Sequence, residues 1–92
     1  MIIVIQNKDL DQIKGENIKY LNKICDLKRI NEDIESIVLN NITIDENGVI
    51  KDFDFFLEEV LITKPIKVII SNVRVPKLIE ICNFHHISLI FL

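Results

Sequence analysis

Apolar residues are concentrated along this chain in short segments, separated by stretches in which they recur at helical spacing. The segments cover about residues 2–6, 36–44, 66–70 and 86–92 and are rich in Ile, Val and Leu. Such segments are typical of buried strands of a parallel sheet. The pattern predicts the order βαβαβαβ in one domain over residues 1–92. We therefore expect a small α/β domain with a four-stranded, mainly parallel sheet and right-handed crossovers.

The intervening stretches predict three helices. The first covers Gly15 to Ile30, and the second follows Gly48 and ends before Lys64-Pro65, because a residue before proline disfavours helical geometry. The third begins at Pro76 and ends near Asn83, which is expected in the left-handed conformation. The buried stripe of the second helix is expected to comprise Val49 or Ile50, Phe53, Phe56, Leu57, Val60 and Leu61, with Phe55 partly exposed beside it. The expected core positions of the strands are Ile3, Ile5, Val38, Leu39, Val68, Ile70 and Ile90.

Composition narrows the classes of function. The net charge is −3 and Lys28-Arg29 is the only adjacent basic pair, which argues against nucleic-acid binding. The apolar runs are far shorter than the ~20 residues that span a bilayer, and the first residues lack the pattern of a signal peptide. We therefore expect no membrane span and a cytoplasmic location. Cys25 and Cys82 are interpreted as buried free thiols.

The segment Asp45-Glu46-Asn47-Gly48 separates the second strand from the second helix. One interpretation is ordinary capping, in which Asp45 or Asn47 accepts a hydrogen bond from the first turn of the helix and Gly48 relieves the turn. The other interpretation is a binding surface built around the turn.

The second half of the chain resembles the STAS domain, the fold of bacterial anti-sigma-factor antagonists. In that family a strand is followed by Asp-Ser-Ser-Gly and a helix, and here Asp45 and Gly48 occupy the matching Asp and Gly positions. The order then continues with Asn72-Val73, Pro76, a short apolar helix and Asn83-Phe84 before the last strand, so the resemblance covers residues 36–92. The family's first strand and its last helix have no counterpart.

The resemblance implies a non-enzymatic regulatory module that binds a protein partner and needs no cofactor. It also implies that the family's phosphorylation switch is missing, because Glu46 and Asn47 replace both serines. The expected partner-binding residues are Asp45, Glu46, Asn47, Gly48, Phe55 and Phe91. A different interpretation is a phage or mobile-element protein that uses the same fold to block a host protein.

Two further patterns are candidate sites of chemistry. Cys82, His85 and His86 form a Cys-x-x-His-His cluster, but a zinc site needs three or four ligands, and we interpret the cluster as structural, with no metal. The acids Asp9, Asp11 and Glu16, together with Asp45, follow strands and favour a small metal-dependent enzyme as an alternative, although no phosphate-binding Gly loop accompanies them.

The chain ends on an apolar strand, Leu89-Ile90-Phe91-Leu92. Alternate side chains of a strand point to opposite faces, so two of these residues should lie on the face that the core does not cover. We therefore expect the strand to pair or pack with a second chain, either in a homodimer or with the functional partner.

Overall fold

The computed structural model describes residues 1–6 and 15–92, and within these ranges every strand lies in one sheet. The strands are β1 (Ile2–Ile5), β2 (Ile18–Leu21), β3 (Ser36–Leu39), β4 (Val68–Ser71) and β5 (Ser88–Phe91). A 3₁₀ helix covers Ile24–Arg29. The segments Phe53–Phe55, Phe56–Val60 and Leu61–Thr63 follow one another as α, π and α turns and form what we call the central helix. The C-terminal helix is Pro76–Phe84.

The sheet is wholly parallel in the described part of the chain, with the strand order β2-β1-β3-β4-β5. The α/β class and the parallel sheet are thus confirmed, whereas the predicted strand number is one too low. The chain moves to one side from β1 to β2 and to the other side from β3 onwards. The strand order therefore reverses between β1 and β3, and in parallel sheets a crevice forms at the carboxyl ends of the strands at such a point.

Only one face of this sheet is covered by the described helices. Ile3, Ile37 and Ile69 lie side by side in register, are fully buried, and belong to one core cluster with residues of the central and C-terminal helices. On the opposite face Val38 and Ile70 are partly exposed, and Ile90 is 52% exposed.

The predicted strand core is therefore right for Ile3, Ile5 and Leu39 and wrong for a second group of residues. That group points to the less covered face and comprises Val38, Val68, Ile70 and Ile90. The error has a simple cause: an uninterrupted apolar strand offers two equally hydrophobic faces, and the pattern does not distinguish them.

The predicted first helix is wrong. Its range contains the end of a turn, β2 and the 3₁₀ helix instead. The buried residues Ile24, Leu27 and Ile30 are spaced by three, which matches the three residues per turn of a 3₁₀ helix better than an α-helical period of 3.6. The small stripe that they form packs into the core.

The second helix is confirmed in its buried face and in its end. Ile50, Phe53, Phe56, Leu57, Val60 and Leu61 are all buried, and the rings of Phe53 and Phe56 have centroids 5.6 Å apart. The helix ends at Thr63, directly before Lys64-Pro65. It begins at Phe53 rather than directly after Gly48, and Asp52 precedes it in a left-handed conformation (φ 62°).

The C-terminal helix begins at Pro76 as predicted, since a proline at the first helical position loses no hydrogen bond. Its end differs from the prediction. Phe84 is the last helical residue, and His86, not Asn83, has a positive φ of 58°. No helix in the described ranges is long and apolar enough to cross a membrane.

Candidate functional site

The acidic turn, residues 45–48, is a loop that Asp45 organises. The carboxylate Oδ1 of Asp45 accepts the backbone N–H of Asn47 at 2.9 Å and that of Val49 at 2.8 Å. The backbone closes the same loop, because Asp45 N–H donates to the Val49 carbonyl at 2.9 Å and Gly48 N–H donates to the Asp45 carbonyl at 3.0 Å. Gly48 has a φ of +78°, a conformation that side chains disfavour.

This geometry corrects the capping interpretation. The central helix starts five residues after Gly48, and its N-cap residue Asp52 makes no side-chain capping bond. Asp45 therefore caps the turn itself rather than the helix, and Asn47 takes part through its backbone N–H. Glu46 and Asn47 do not lie at a helix N-terminus, so the helix dipole contributes little to binding a charge there, since its effect is confined to the first turn of a helix.

Two large apolar side chains flank the acidic turn in solvent. Ile44 is 50% exposed and Val49 is 55% exposed. Isolated exposed apolar residues are normal on protein surfaces, but here they stand on either side of a turn whose own side chains are all exposed. The turn thus presents apolar contacts beside two carboxylates.

Phe55 joins the turn through a shared groove. A cavity of about 510 Å³ is lined by Gly48 and Val49 on one side, by Phe55 and Leu57 of the central helix, and by residues at the start of the C-terminal helix, Val75 and Lys77. The Lys28 ammonium group lies 4.8 Å from the centre of the Phe55 ring, a cation–π contact that holds the ring in place. The structure therefore brings Gly48 and Phe55 to one groove, although they are seven positions apart on different elements.

Phe91 is the last residue of β5, at the carboxyl end of that strand, and it does not line this groove. Its ring is partly buried, with the Arg74 guanidinium carbon 5.0 Å from its centre. The more exposed residues of the C-terminal segment are Ile90, at 52%, and Leu92, at 62%. β5 is an edge strand, so its outer backbone groups have no strand partner within the described sheet.

The Cys-x-x-His-His cluster does not converge. Cys82 is buried, and burial raises the pKa of its thiol, whereas His85 and His86 are exposed. Within residues 1–6 and 15–92, no group of three or more His, Cys, Asp or Glu side chains could hold a metal ion. The acids Asp9 and Asp11 lie outside the described residues, and Glu16 is an exposed turn residue.

A second cavity was not anticipated from the sequence. This crevice has a volume of about 460 Å³ and lies between the carboxyl ends of β1, β2 and β3, where the strand order reverses. Its wall includes the buried Ile5, Gln6, Ile24 and Ile50. A usable signal was present, because polar residues directly follow each of the three strands. It could be recognised only once β2 and the strand order were known.

Comparisons with protein-family models, with curated proteins and with solved structures found no match.

Proposed function

We propose that this chain is a non-enzymatic protein-interaction module, as the resemblance to STAS antagonists implies. Its docking surface would be the acidic turn together with the groove between that turn and the two helices. The observation that carries the proposal is the exposure of Ile44 and Val49 on either side of a turn that is internally hydrogen-bonded. A rigid turn loses little conformational entropy when a partner binds, which favours affinity.

The charge of this surface indicates the kind of partner. The turn carries Asp45 and Glu46, and the groove adds Asp52 and Asp54. Two lysines line the groove, and one of them, Lys77, is paired with Glu58 at 3.6 Å. The surface is therefore mainly negative, and the complementary partner is a protein segment that combines an apolar anchor with basic side chains.

The edge strand β5 is a second contact in this proposal. Ile90 and Leu92 are exposed, and a partner strand added along β5 would pair its free backbone groups and cover part of both side chains. A homodimer through β5 is the simplest form of this contact. Light scattering across a concentration series tests it, and a monomer at every concentration would exclude the homodimer.

The docking surface can be tested by matched substitutions. Val49 and Ile62 are equally exposed, at 55% and 54%, but Ile62 lies at the opposite end of the central helix. Burying a valine at an interface contributes about 1.5–3 kcal/mol, so Val49→Ser should weaken partner binding by about tenfold or more, whereas Ile62→Ser should leave it unchanged. Glu46→Lys should slow association and reduce its dependence on salt.

The experiment uses the tagged full chain as bait in its own cells, with quantitative mass spectrometry of wild type and variants. The proposal expects one partner that wild type and Ile62→Ser retain and that Val49→Ser loses. Phe84 offers the competing location, because it is 79% exposed at the end of the C-terminal helix, on the side of the amino end of β5. Retention by Val49→Ser together with loss by Phe84→Ser would contradict the proposed surface. The identity of the partner would separate a regulator of the same cell from a host protein that a mobile-element product blocks.

A further inference from the structure

The crevice at the carboxyl ends of β1, β2 and β3 combines an apolar wall with polar groups from four separate segments. Its apolar side chains are Ile5, Ile24, Ile42 and Ile50. Its polar side chains come from the ends of β1 and β2, from the loop after β3 and from the approach to the central helix: Gln6, Asn22, Lys23, Asn41, Thr43, Lys51 and Asp52. This mixture, in about 460 Å³, matches the usual make-up of small-molecule sites, which have volumes of about 300–1,000 Å³.

Hydrogen bonds hold the walls of the crevice in place. The carboxamide of Gln6, which is only 4% exposed, accepts a bond at 2.8 Å from the Asn40 amide. Asn72, in the loop after β4, fixes the backbone of Ile42, another residue of the crevice wall. Its Oδ1 accepts the Ile42 N–H at 3.1 Å, and its Nδ2 donates to the Ile42 carbonyl at 3.3 Å. The crevice is thus formed before any ligand binds.

The lining also concentrates positive charge on a chain whose net charge is negative. Lys23 and Lys51 reach the crevice from two different loops, and among the described residues of its lining Asp52 is the one acid. The lining adds the neutral amide and hydroxyl groups of Asn22, Asn41 and Thr43, which can donate hydrogen bonds to oxygen atoms. The crevice therefore suits an anion, in contrast to the acidic turn.

We propose that this crevice is a binding site for a small organic anion. Its apolar body would contact the isoleucines, and its carboxylate or phosphate group would be bound by Lys23 and Lys51. The site is separate from the docking groove apart from a shared boundary at Ile50–Asp52, and it does not depend on the proposed interaction function. Because both cavities use that boundary, the anion would also stabilise the segment that leads into the central helix.

The test uses four probes that share a phenyl body and differ in charge: 3-phenylpropionate, phenyl phosphate, the neutral 3-phenylpropionamide and the cation phenethylamine. Binding to the full chain is followed by amide chemical shifts in NMR titrations at low salt. The proposal expects at least one anion to bind about tenfold more tightly than the neutral amide and the cation. Its shifts should centre on Gln6, Asn22, Asn41 and Thr43, and the ranking of the carboxylate and the phosphate identifies the preferred group.

Lysine variants make the test specific to the crevice. Exposed ion pairs are individually weak, so Lys23→Gln and Lys51→Gln should each reduce anion affinity about three- to fivefold, and the double variant about tenfold. Asp52→Asn should increase it. Lys67→Gln is the matched control, because Lys67 directly precedes β4, at the amino ends of the strands, whereas the crevice lies at their carboxyl ends. Equal binding of the anions and the neutral amide, equal loss in Lys67→Gln, shifts centred elsewhere, or no binding at millimolar probe would each overturn the proposal.

Discussion

Asp45→Ala and Asp45→Asn form a matched pair that isolates the role of the Asp45 carboxylate in the acidic turn. Both substitutions remove the charge, but asparagine keeps an Oδ1 acceptor for the N–H groups of Asn47 and Val49. An intramolecular hydrogen bond contributes about 0.5–1.5 kcal/mol, and these two bonds are exposed, so we assign each the lower half of that range. Asp45→Ala should therefore lower the free energy of unfolding by about 1–2 kcal/mol, and Asp45→Asn by about 0.5 kcal/mol or less.

Thermal and urea unfolding of the two variants measure this difference. For a domain of this size the alanine variant should lose about 5–10 °C in Tm. Hydrogen exchange adds a local readout, because the Val49 amide should exchange faster in the alanine variant even where the turn opens without global unfolding. Equal destabilisation by the two substitutions would show that charge, not acceptor geometry, holds the turn. An alanine variant as stable as the wild type would refute the reasoning altogether.

Three further predictions concern a buried hydroxyl, a buried thiol and a missing serine. Ser71 is fully buried, and its hydroxyl accepts the Val73 N–H at 2.8 Å and donates to the Val73 carbonyl at 3.1 Å. Ser71→Ala should therefore lower the free energy of unfolding in urea by about 1–3 kcal/mol, and an unchanged value would contradict this assignment. Burial raises the pKa of the Cys82 thiol, so the stability that this residue contributes is complete below the ordinary thiol pKa and is lost as the pH rises above that value. Iodoacetamide should label the partly exposed Cys25 first, and faster labelling of Cys82 in the folded protein would be inconsistent with the burial of Cys82. A kinase that phosphorylates STAS antagonists should leave residues 42–50 unlabelled, because Glu46 and Asn47 replace the serines of the family. Thr43 is the only hydroxyl side chain in that range, and stoichiometric phosphate there by mass spectrometry would contradict the prediction.

The sequence was informative wherever local chemistry decides the structure. Pro76 begins a helix and Pro65 closes the previous one, because the proline ring limits the backbone irrespective of its surroundings. The buried face of the central helix was also predicted, since its five large apolar residues at helical spacing, Phe53, Phe56, Leu57, Val60 and Leu61, leave only one stripe that can enter a core. The parallel sheet followed from the alternation of strands and helices.

The candidate site was predicted in part for the same reason. Asp45 and Gly48 mark a tight turn through their own conformational preferences, and the turn is present. The distance from the turn to the helix was not predicted, because Val49 and Ile50 continue the apolar pattern of the helix without being helical. Val49 instead closes the turn and is exposed, whereas Ile50 enters the core.

Tertiary structure alone decided the order of the strands and the face of the sheet that is buried. Each face of β3 carries a large apolar residue, so only the packing of the helices on one face determines that Ile37 is buried and Val38 is not. β2 was missed because its four residues acquire strand geometry by pairing with β1, an interaction between distant positions that no local propensity records. The crevice depends on that pairing. It exists because β2 lies on the far side of β1 from β3, so the loops that bear its amides and lysines meet only in the folded chain.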